Sequence, residues 1–446
     1  MTLDRRDFLK LAGAQAGLLA AVPTALEASL AERRAAGLIG QAPEVVVIGA
    51  GAWGGWTAFY LRELGANVTL VDQYGPGNAR ATSGDESRGI RSSYGQRELW
   101  VRWANEAIGR WKRWDEEWSK PLRMQLFYPM GDVILRAEWE PFLDDTKKSW
   151  DKLGIPHERL TAEEVRKRWP VIGIEGMTVA LFETNAGVAR ARRSCEAVAE
   201  VVRQKGGRIV LGRASLGKRA GRRLSDVALT TGDPLRADTF VFACGPWLPK
   251  ALPDVMTNRM RIPMGYVFYY GVPPEDPRFT FPNLPSYNFP GVTGWAALPP
   301  DHRGFRVRGG GGGGPGRGVE DPDLSDRWVD SSGFERQRQF LAQRFPLLKD
   351  APIVQTHACH YESTVSRNFI VDRHPELDNV WIAGGGNAEG FKMGPVIGEY
   401  IAQRVLQKQT DPALDEQFKL APGTFDARPP RNSEDEVLFQ EMADVR

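Results

Sequence analysis

The chain has 446 residues, 42% of them hydrophobic and 26% charged, which is ordinary globular composition and enough material for two domains sharing a core. Lys and Arg number 58 against 56 for Asp and Glu, a net charge of +2. No long-range field of the kind that gathers nucleic acid follows from that balance, and a small molecule is the expected partner. Three cysteines, Cys195, Cys244 and Cys359, are too few and too scattered for a disulfide framework or a metal centre.

In chain order, Asp4-Arg5-Arg6-Asp7-Phe8-Leu9-Lys10 precedes a mildly apolar, Ala/Gly-rich run to about Leu30. Paired arginines with modest hydrophobicity, interrupted by Pro23 and Glu27, read as a twin-arginine signal over residues 1–30 rather than a membrane span. It predicts a periplasmic or secreted protein, the twin-arginine export machinery as a partner, and a cofactor acquired before export. Next, Glu44-Val45-Val46-Val47-Ile48 reads as a buried parallel strand, residues 53–64 as a helix closed by Gly65, and Val68-Thr69-Leu70-Val71 as a second strand ending at Asp72. That is a βαβ beginning. The spacing predicts helix over residues 100–150 and again over 163–169. An amphipathic helix over 192–205 leads to strands at 208–211, 227–230 and 239–243, with Lys218, Arg219, Arg222 and Arg223 at a solvated hairpin tip. A β-rich region begins near Tyr266. The glycines 309–314 with Pro315 form a flexible loop, and residues 420–446 read as a polar tail.

Gly49-Ala50-Gly51-Ala52-Trp53-Gly54 is a G-x-G-x-x-G between strand and helix. Gly49 permits the tight turn, Gly51 lets backbone approach a pyrophosphate, and Gly54 lets helix pack on strand. Asp72, eighteen residues beyond Gly54, ends the second strand where a carboxylate can hold ribose hydroxyls. The motif alone leaves FAD and NAD both open.

Later segments separate the two. Ser83-Gly84-Asp85-Glu86-Ser87-Arg88-Gly89-Ile90-Arg91-Ser92-Ser93-Tyr94-Gly95 resembles the Gly-Asp-x-Arg-x-x-Arg-x-x-Tyr-Gly segment of the monomeric sarcosine oxidase and N-methyltryptophan oxidase family, within the D-amino-acid-oxidase-like superfamily. Aligned on the arginines, Glu86 takes the place of the family's acid. Ala186-Gly187-Val188, Ala243-Cys244-Gly245-Pro246-Trp247, Cys359-His360-Tyr361, Phe369-Ile370-Val371-Asp372, Val380-Trp381-Ile382-Ala383-Gly384 and Gly390-Phe391-Lys392 follow in the family's order. The resemblance implies an α/β fold: a Rossmann-like FAD-binding domain from residues 43–130, 186–255 and 355–415, with a β-rich substrate domain from 131–185 and 256–354. It implies Gly245, Trp247, Gly390 and Phe391 at the flavin, and Cys359 as a covalent attachment point. Two cations three residues apart can meet a flavin and an anionic substrate group. By resemblance Arg88 lies against the flavin, while Arg91 and Lys392 take the substrate carboxylate and Tyr361 accompanies them in the site. Pro395 suits the first turn of a helix whose N-terminus faces the flavin.

Two positions depart from the pattern. Glu389 stands where relatives have histidine, and Arg306 where oxidases have a lysine that promotes reaction with oxygen. The implied activity is oxidation of a C–N bond in an amine or amino acid, with hydride passing to FAD, an imine as product, and oxygen or another acceptor taking the electrons. An NAD-dependent dehydrogenase would leave Arg88, Arg91, Cys359 and Lys392 without a common purpose. A flavin-binding, non-catalytic periplasmic protein would not need both candidate carboxylate cations.

Overall fold

The computed structural model describes residues 42–299, 304–309, 321–329, 332–408 and 411–425. The paired-arginine segment, glycines 310–314 and the chain end from residue 426 lie outside the described residues. The chain opens with β1 (Glu44–Ile48), α1 (Ala52–Glu63) and β2 (Asn67–Asp72). These strands belong to a six-stranded sheet in the order Ile370–His374, Leu377–Gly384, Thr239–Phe242, β1, β2, Arg208–Leu211. All neighbours run parallel except the first pair, an antiparallel hairpin.

Alternation along these strands explains why both faces are apolar. Val45, Val47, Val241 and Ala383 pack with Trp56, Val198 and Ile397, from α1 and the helices Ala191–Gln204 and Gly394–Val405. Val46, Ile48, Phe240, Phe242 and Ile382 face the other way, onto Leu224, Val227 and Met256. A parallel sheet covered on both sides needs continuous hydrophobic strands, which is what the sequence shows.

The second sheet has eight strands: Ile353–His360, Met264–Gly271, Gly304–Gly309, Val292–Trp295, Ser286–Phe289, Asp132–Arg136, Val179–Glu183 and His157–Thr161. Phe305 and Val307 enter an aromatic core with Tyr287 and Phe345. The intervening Arg306 and Arg308 therefore stand on the opposite face, which lines a large cleft. A three-stranded sheet, Arg88–Ile90, Gly187–Ala189 and Phe127–Tyr128, carries Arg88.

Three expectations need correction. The helix expected over residues 100–150 ends at Leu122, where Pro121 and left-handed Arg123 stop it; strands follow at Phe127–Tyr128 and Asp132–Arg136 before a second helix, Pro141–Leu153. Val133-Ile134-Leu135 is wholly buried, and a short apolar run of that kind has no period that separates strand from helix. The boundary expected between residues 354 and 355 cuts the strand Ile353–His360, which places Cys359 on the second sheet. The tail expected from residue 420 is anchored at its start. The Leu420 N–H donates to Asp372 Oδ2 at 2.8 Å, and the Ala421 carbonyl accepts from Arg259.

Candidate active site

One cleft collects residues from both large sheets, Gly49, Gly51 and Asp72 with Arg91, Arg306, Tyr361 and Lys392 among them. Its empty volume is ≈ 1720 Å³, the open mouth included. Gly49 has φ +105°, and a Cβ there would lie 2.3 Å from the Ala243 carbonyl oxygen. At Gly54 a Cβ would lie 1.7 Å from the Gly49 oxygen. Only glycine fits either place, because Gly49 passes directly beneath the end of the strand Thr239–Phe242 and Gly54 is folded back onto the turn itself. Asp72 lines the cleft, but its carboxylate first pins this turn. Oδ2 accepts from the Ala50 N–H at 2.7 Å, and Oδ1 accepts from the N–H groups of Tyr74 and Gly75, each at 2.9 Å.

Trp247 and Gly245 also line the cleft. The Trp247 indole N–H donates to Asp323 Oδ1 at 2.8 Å, and Asp323 accepts from the Tyr74 hydroxyl at 2.8 Å and from Lys250 Nζ at 2.5 Å. The short segment around Asp323 thus ties three aromatic and basic groups of the nucleotide-binding side together.

Asp85 is the centre of the next cluster. The carboxylate is 1% exposed and accepts from Arg88 Nη1 at 2.6 Å, Arg306 Nη2 at 3.1 Å and the Tyr269 hydroxyl at 2.6 Å. Burial would raise its pKa, but Arg88 and Arg306 overcome that and hold it well below the usual carboxylate range. The acid of the motif is therefore Asp85, not Glu86, which pairs with Arg192 away from this cluster. Arg88 Nη2 also lies 3.4 Å from Cys359 Sγ. Burial raises the Cys359 thiol, yet Arg88 and the neighbouring His357 bring it down to about 6, which favours the thiolate. Cys195, by contrast, is pushed by burial up to about 12, and Cys244 is raised by the same cause. Arg306 is 1% exposed, with its guanidinium carbon 4.0 Å from the centre of the Trp295 ring.

Arg91 and Lys392 differ in their engagement. Arg91 lines the cleft and makes no hydrogen bond among the described residues; its nearest carboxylate oxygen, Asp132 Oδ2, is 3.9 Å away. Lys392 Nζ donates to Glu389 Oε2 and to the Tyr94 hydroxyl, both at 2.5 Å, while Tyr94 donates to the same Glu389 oxygen. The two cations that the resemblance assigns jointly to a carboxylate are thus unequal: Lys392 already holds one. Phe391 stacks on Trp111 at 5.6 Å, and the Trp53 indole N–H donates to the Gly390 carbonyl at 2.9 Å. These contacts fix the turn that leads into the helix Gly394–Val405.

The sequence model of the FAD dependent oxidoreductase (DAO) family matches residues 44–404. The chain belongs to this family. It is 26% identical over 389 residues to human peroxisomal sarcosine oxidase, covering 83% of this chain and 94% of that protein. To N-methyl-L-tryptophan oxidase of Yersinia pestis (strain Pestoides F) it is 25% identical over 385 residues, covering 85% and 98%. Fructosamine oxidase (Amadoriase II) of Aspergillus fumigatus shares the fold with a TM-score of 0.70 at 23% identity, covering 86% of this chain and 90% of that one. L-proline dehydrogenase from P. horikoshii gives 0.71 at 20%, covering 83% and 95%.

This member of the DAO family is accordingly an FAD-dependent oxidoreductase, and its residues fit the cofactor. The space a Cβ would fill at Gly49 and Gly54 is taken by backbone, so the turn brings the start of α1 to the cleft, where backbone N–H groups and the helix dipole would hold the pyrophosphate. The cleft continues from there to Arg88, Cys359 and Lys392.

Sequence reasoning missed several residues at the cleft or directly behind its wall. Arg308 could have been found from its i, i+2 relation to Arg306 on a strand. Asp85 lay inside the quoted motif but lost its role to an alignment made on the arginines alone. Glu362, with burial pushing its carboxyl up to about 7, carries no sequence signal; its position beside Gly245 and Gly386 exists only once the two sheets meet.

Proposed function

We propose that the protein oxidises the C–N bond of an amino acid or secondary amine that bears a carboxylate, the class to which its relatives' substrates belong. Bound FAD supplies the two-electron acceptor for the hydride from the carbon next to nitrogen. The observation that carries this reading is Arg91: a largely buried guanidinium facing the cleft, with no hydrogen bond among the described residues and its nearest carboxylate at 3.9 Å. A fork of N–H donors in that state suits a substrate carboxylate, which it would bind through two parallel charge-assisted bonds. Lys392 adds positive charge beside it while holding Glu389. Tyr361, also in the cleft, contributes an apolar wall with a polar tip.

On this reading Cys359 is the covalent attachment point for FAD, supported by its thiolate character beside Arg88. Arg306 sits where an oxygen-activating cation would act, but its charge is shared with Asp85. Reoxidation by oxygen is therefore slow, and a dye or respiratory carrier is the better acceptor. Residues 1–30 direct twin-arginine export to the periplasm or beyond, as Arg5-Arg6 and the modestly apolar run after them indicate; Arg5→Lys together with Arg6→Lys should retain the protein in the cytoplasm.

The test is an anaerobic screen of purified holoenzyme against amino acids and N-alkyl amines, following loss of flavin absorbance. A substrate found this way should bind to Arg91→Ala more weakly by about 2–5 kcal/mol, whereas its amide should lose little. Equal losses for acid and amide would show that Arg91 does not read the carboxylate.

A further inference from the structure

Glu389 occupies its place under constraint. It follows Asn387 and Ala388, both non-glycine residues in the left-handed region, with φ 45° and 58°. Such a backbone persists only where its surroundings over-determine it. Asn387 provides that: its amide donates to the carbonyls of Gly385 at 2.7 Å and Asn368 at 3.1 Å, and its oxygen accepts from the Thr364 N–H at 2.9 Å. The turn so fixed puts Glu389 on the cleft wall. Its Oε2 is held from behind by Tyr94, 4% exposed, and Lys392, 7% exposed.

The charges around it are mostly positive. Arg88 and Arg306 answer to Asp85; Arg91, Lys392 and Arg308 are further cations on the cleft lining, and Glu389 and Glu362 are carboxylates on it. After burial, Asp132 and then Glu389 are the charges that most favour protonated Arg91. A ligand in this part of the cleft meets charges of both signs.

We infer that Glu389 reads the substrate's amine as a cation, so that Arg91 and Glu389 together select a zwitterion: carboxylate on the guanidinium, protonated amine on the glutamate. Lys392, which donates to Glu389 Oε2, orients Glu389 rather than serving as an independent carboxylate clamp. The inference rests on the amino-acid reading above and makes Glu389 a specificity-determining residue of that site. It has a kinetic consequence. Hydride leaves carbon only after the amine nitrogen has lost its proton, and a neighbouring carboxylate favours the protonated amine. Glu389 thus strengthens recognition while moving the acid limb of flavin reduction to higher pH. The other titratable groups facing this space are the Cys359 thiol, Tyr361 and Glu362, alongside the arginines and Lys392.

The experiment uses the holoenzyme and two probes with the same carboxylate, N-methylglycine and methoxyacetate, in which an ether oxygen replaces the cationic nitrogen. Dissociation constants come from perturbation of the flavin absorption band, or from the concentration dependence of reduction where the probe is oxidised. Glu389→Gln should weaken N-methylglycine roughly tenfold to a hundredfold, the loss of one charge-assisted hydrogen bond, and leave methoxyacetate unchanged or tighter. The acid limb of the reduction rate should move to lower pH by about 1 to 3 units. Glu389→Asp should restore part of the discrimination, and flavin content with thermal unfolding checks that each variant is folded. Equal weakening of both probes, or an acid limb that stays in place, would overturn the inference. Arg91→Lys distinguishes the two levels: methoxyacetate binding as tight as wild type would overturn the carboxylate reading, while the ratio between probes still reports on Glu389.

Discussion

Replacing Asp85 by Asn should be among the most damaging single-atom changes available in this protein. The carboxylate is 1% exposed and faces two guanidinium groups, at 2.6 and 3.1 Å, together with a tyrosine hydroxyl at 2.6 Å. Arg306 is itself 1% exposed. Asparagine keeps the shape and one acceptor oxygen but turns an N–H₂ toward groups that are already donors, and deprives Arg88 and the buried Arg306 of the carboxylate they share. Removing one partner of a buried ion pair costs about 3–5 kcal/mol, and sharing by two arginines argues for the upper part of that range. The pH dependence has a definite sign. Because the folded carboxyl is held below its ordinary value, its stabilisation is complete above the unfolded pKa of about 4 and disappears only as pH falls through the lower folded value. Wild type and Asp85→Asn should therefore differ by a constant amount from pH 5 to 8 and converge only in strong acid. Denaturant unfolding followed by tryptophan fluorescence measures this, with Glu98→Gln, which breaks an exposed pair with Lys152, as a control that should not change. A loss below about 1 kcal/mol, or a gap that widens steadily between pH 5 and 8, would refute the hub.

Three further outcomes follow from neighbouring groups. After acid precipitation, yellow colour should remain with the wild-type pellet and be lost from that of Cys359→Ala; flavin released entirely to the wild-type supernatant would exclude attachment at the thiolate. Stopped-flow mixing of reduced enzyme with oxygenated buffer should show reoxidation slower than turnover with a dye, and Arg306→Lys should accelerate it, because a compact ammonium localises the charge that a stacked, Asp85-paired guanidinium spreads. Glu183 is fully buried, and burial outweighs its bonds from Ser92 to raise the carboxyl to about 7. Its folded pKa exceeds the unfolded one, so wild-type stability should fall as pH rises from about 4.5 to 7. Glu183→Gln should be spared that fall and gain on the order of 2–3 kcal/mol relative to wild type between pH 5 and pH 8, read from unfolding midpoints at the two pH values.

The dinucleotide turn was legible in the sequence because its requirement is local. Gly54 is demanded by the Gly49 carbonyl and Gly49 by its positive φ, both within a turn that closes in six residues, and β1 announces its two-sided burial by unbroken Val and Ile. The arginines of the Ser83–Gly95 stretch were visible for a similar reason, being spaced three apart in a short segment. Local pattern could not say which acid serves them. Asp85 and Glu86 are adjacent and chemically alike, and only the pairing of Met264–Gly271 with Gly304–Gly309 brings Tyr269 and Arg306 to one of them. Nor could it foresee that Lys392 would be engaged, since Tyr94 lies almost 300 residues away in sequence and meets it through packing of the helix Glu98–Leu122 against the helix Gly394–Val405. Backbone conformations recur with short sequence motifs, so the sequence by itself determined the cradle. Charge pairing across a cleft depends on where separate sheets come to rest, and that was decided by the tertiary structure alone.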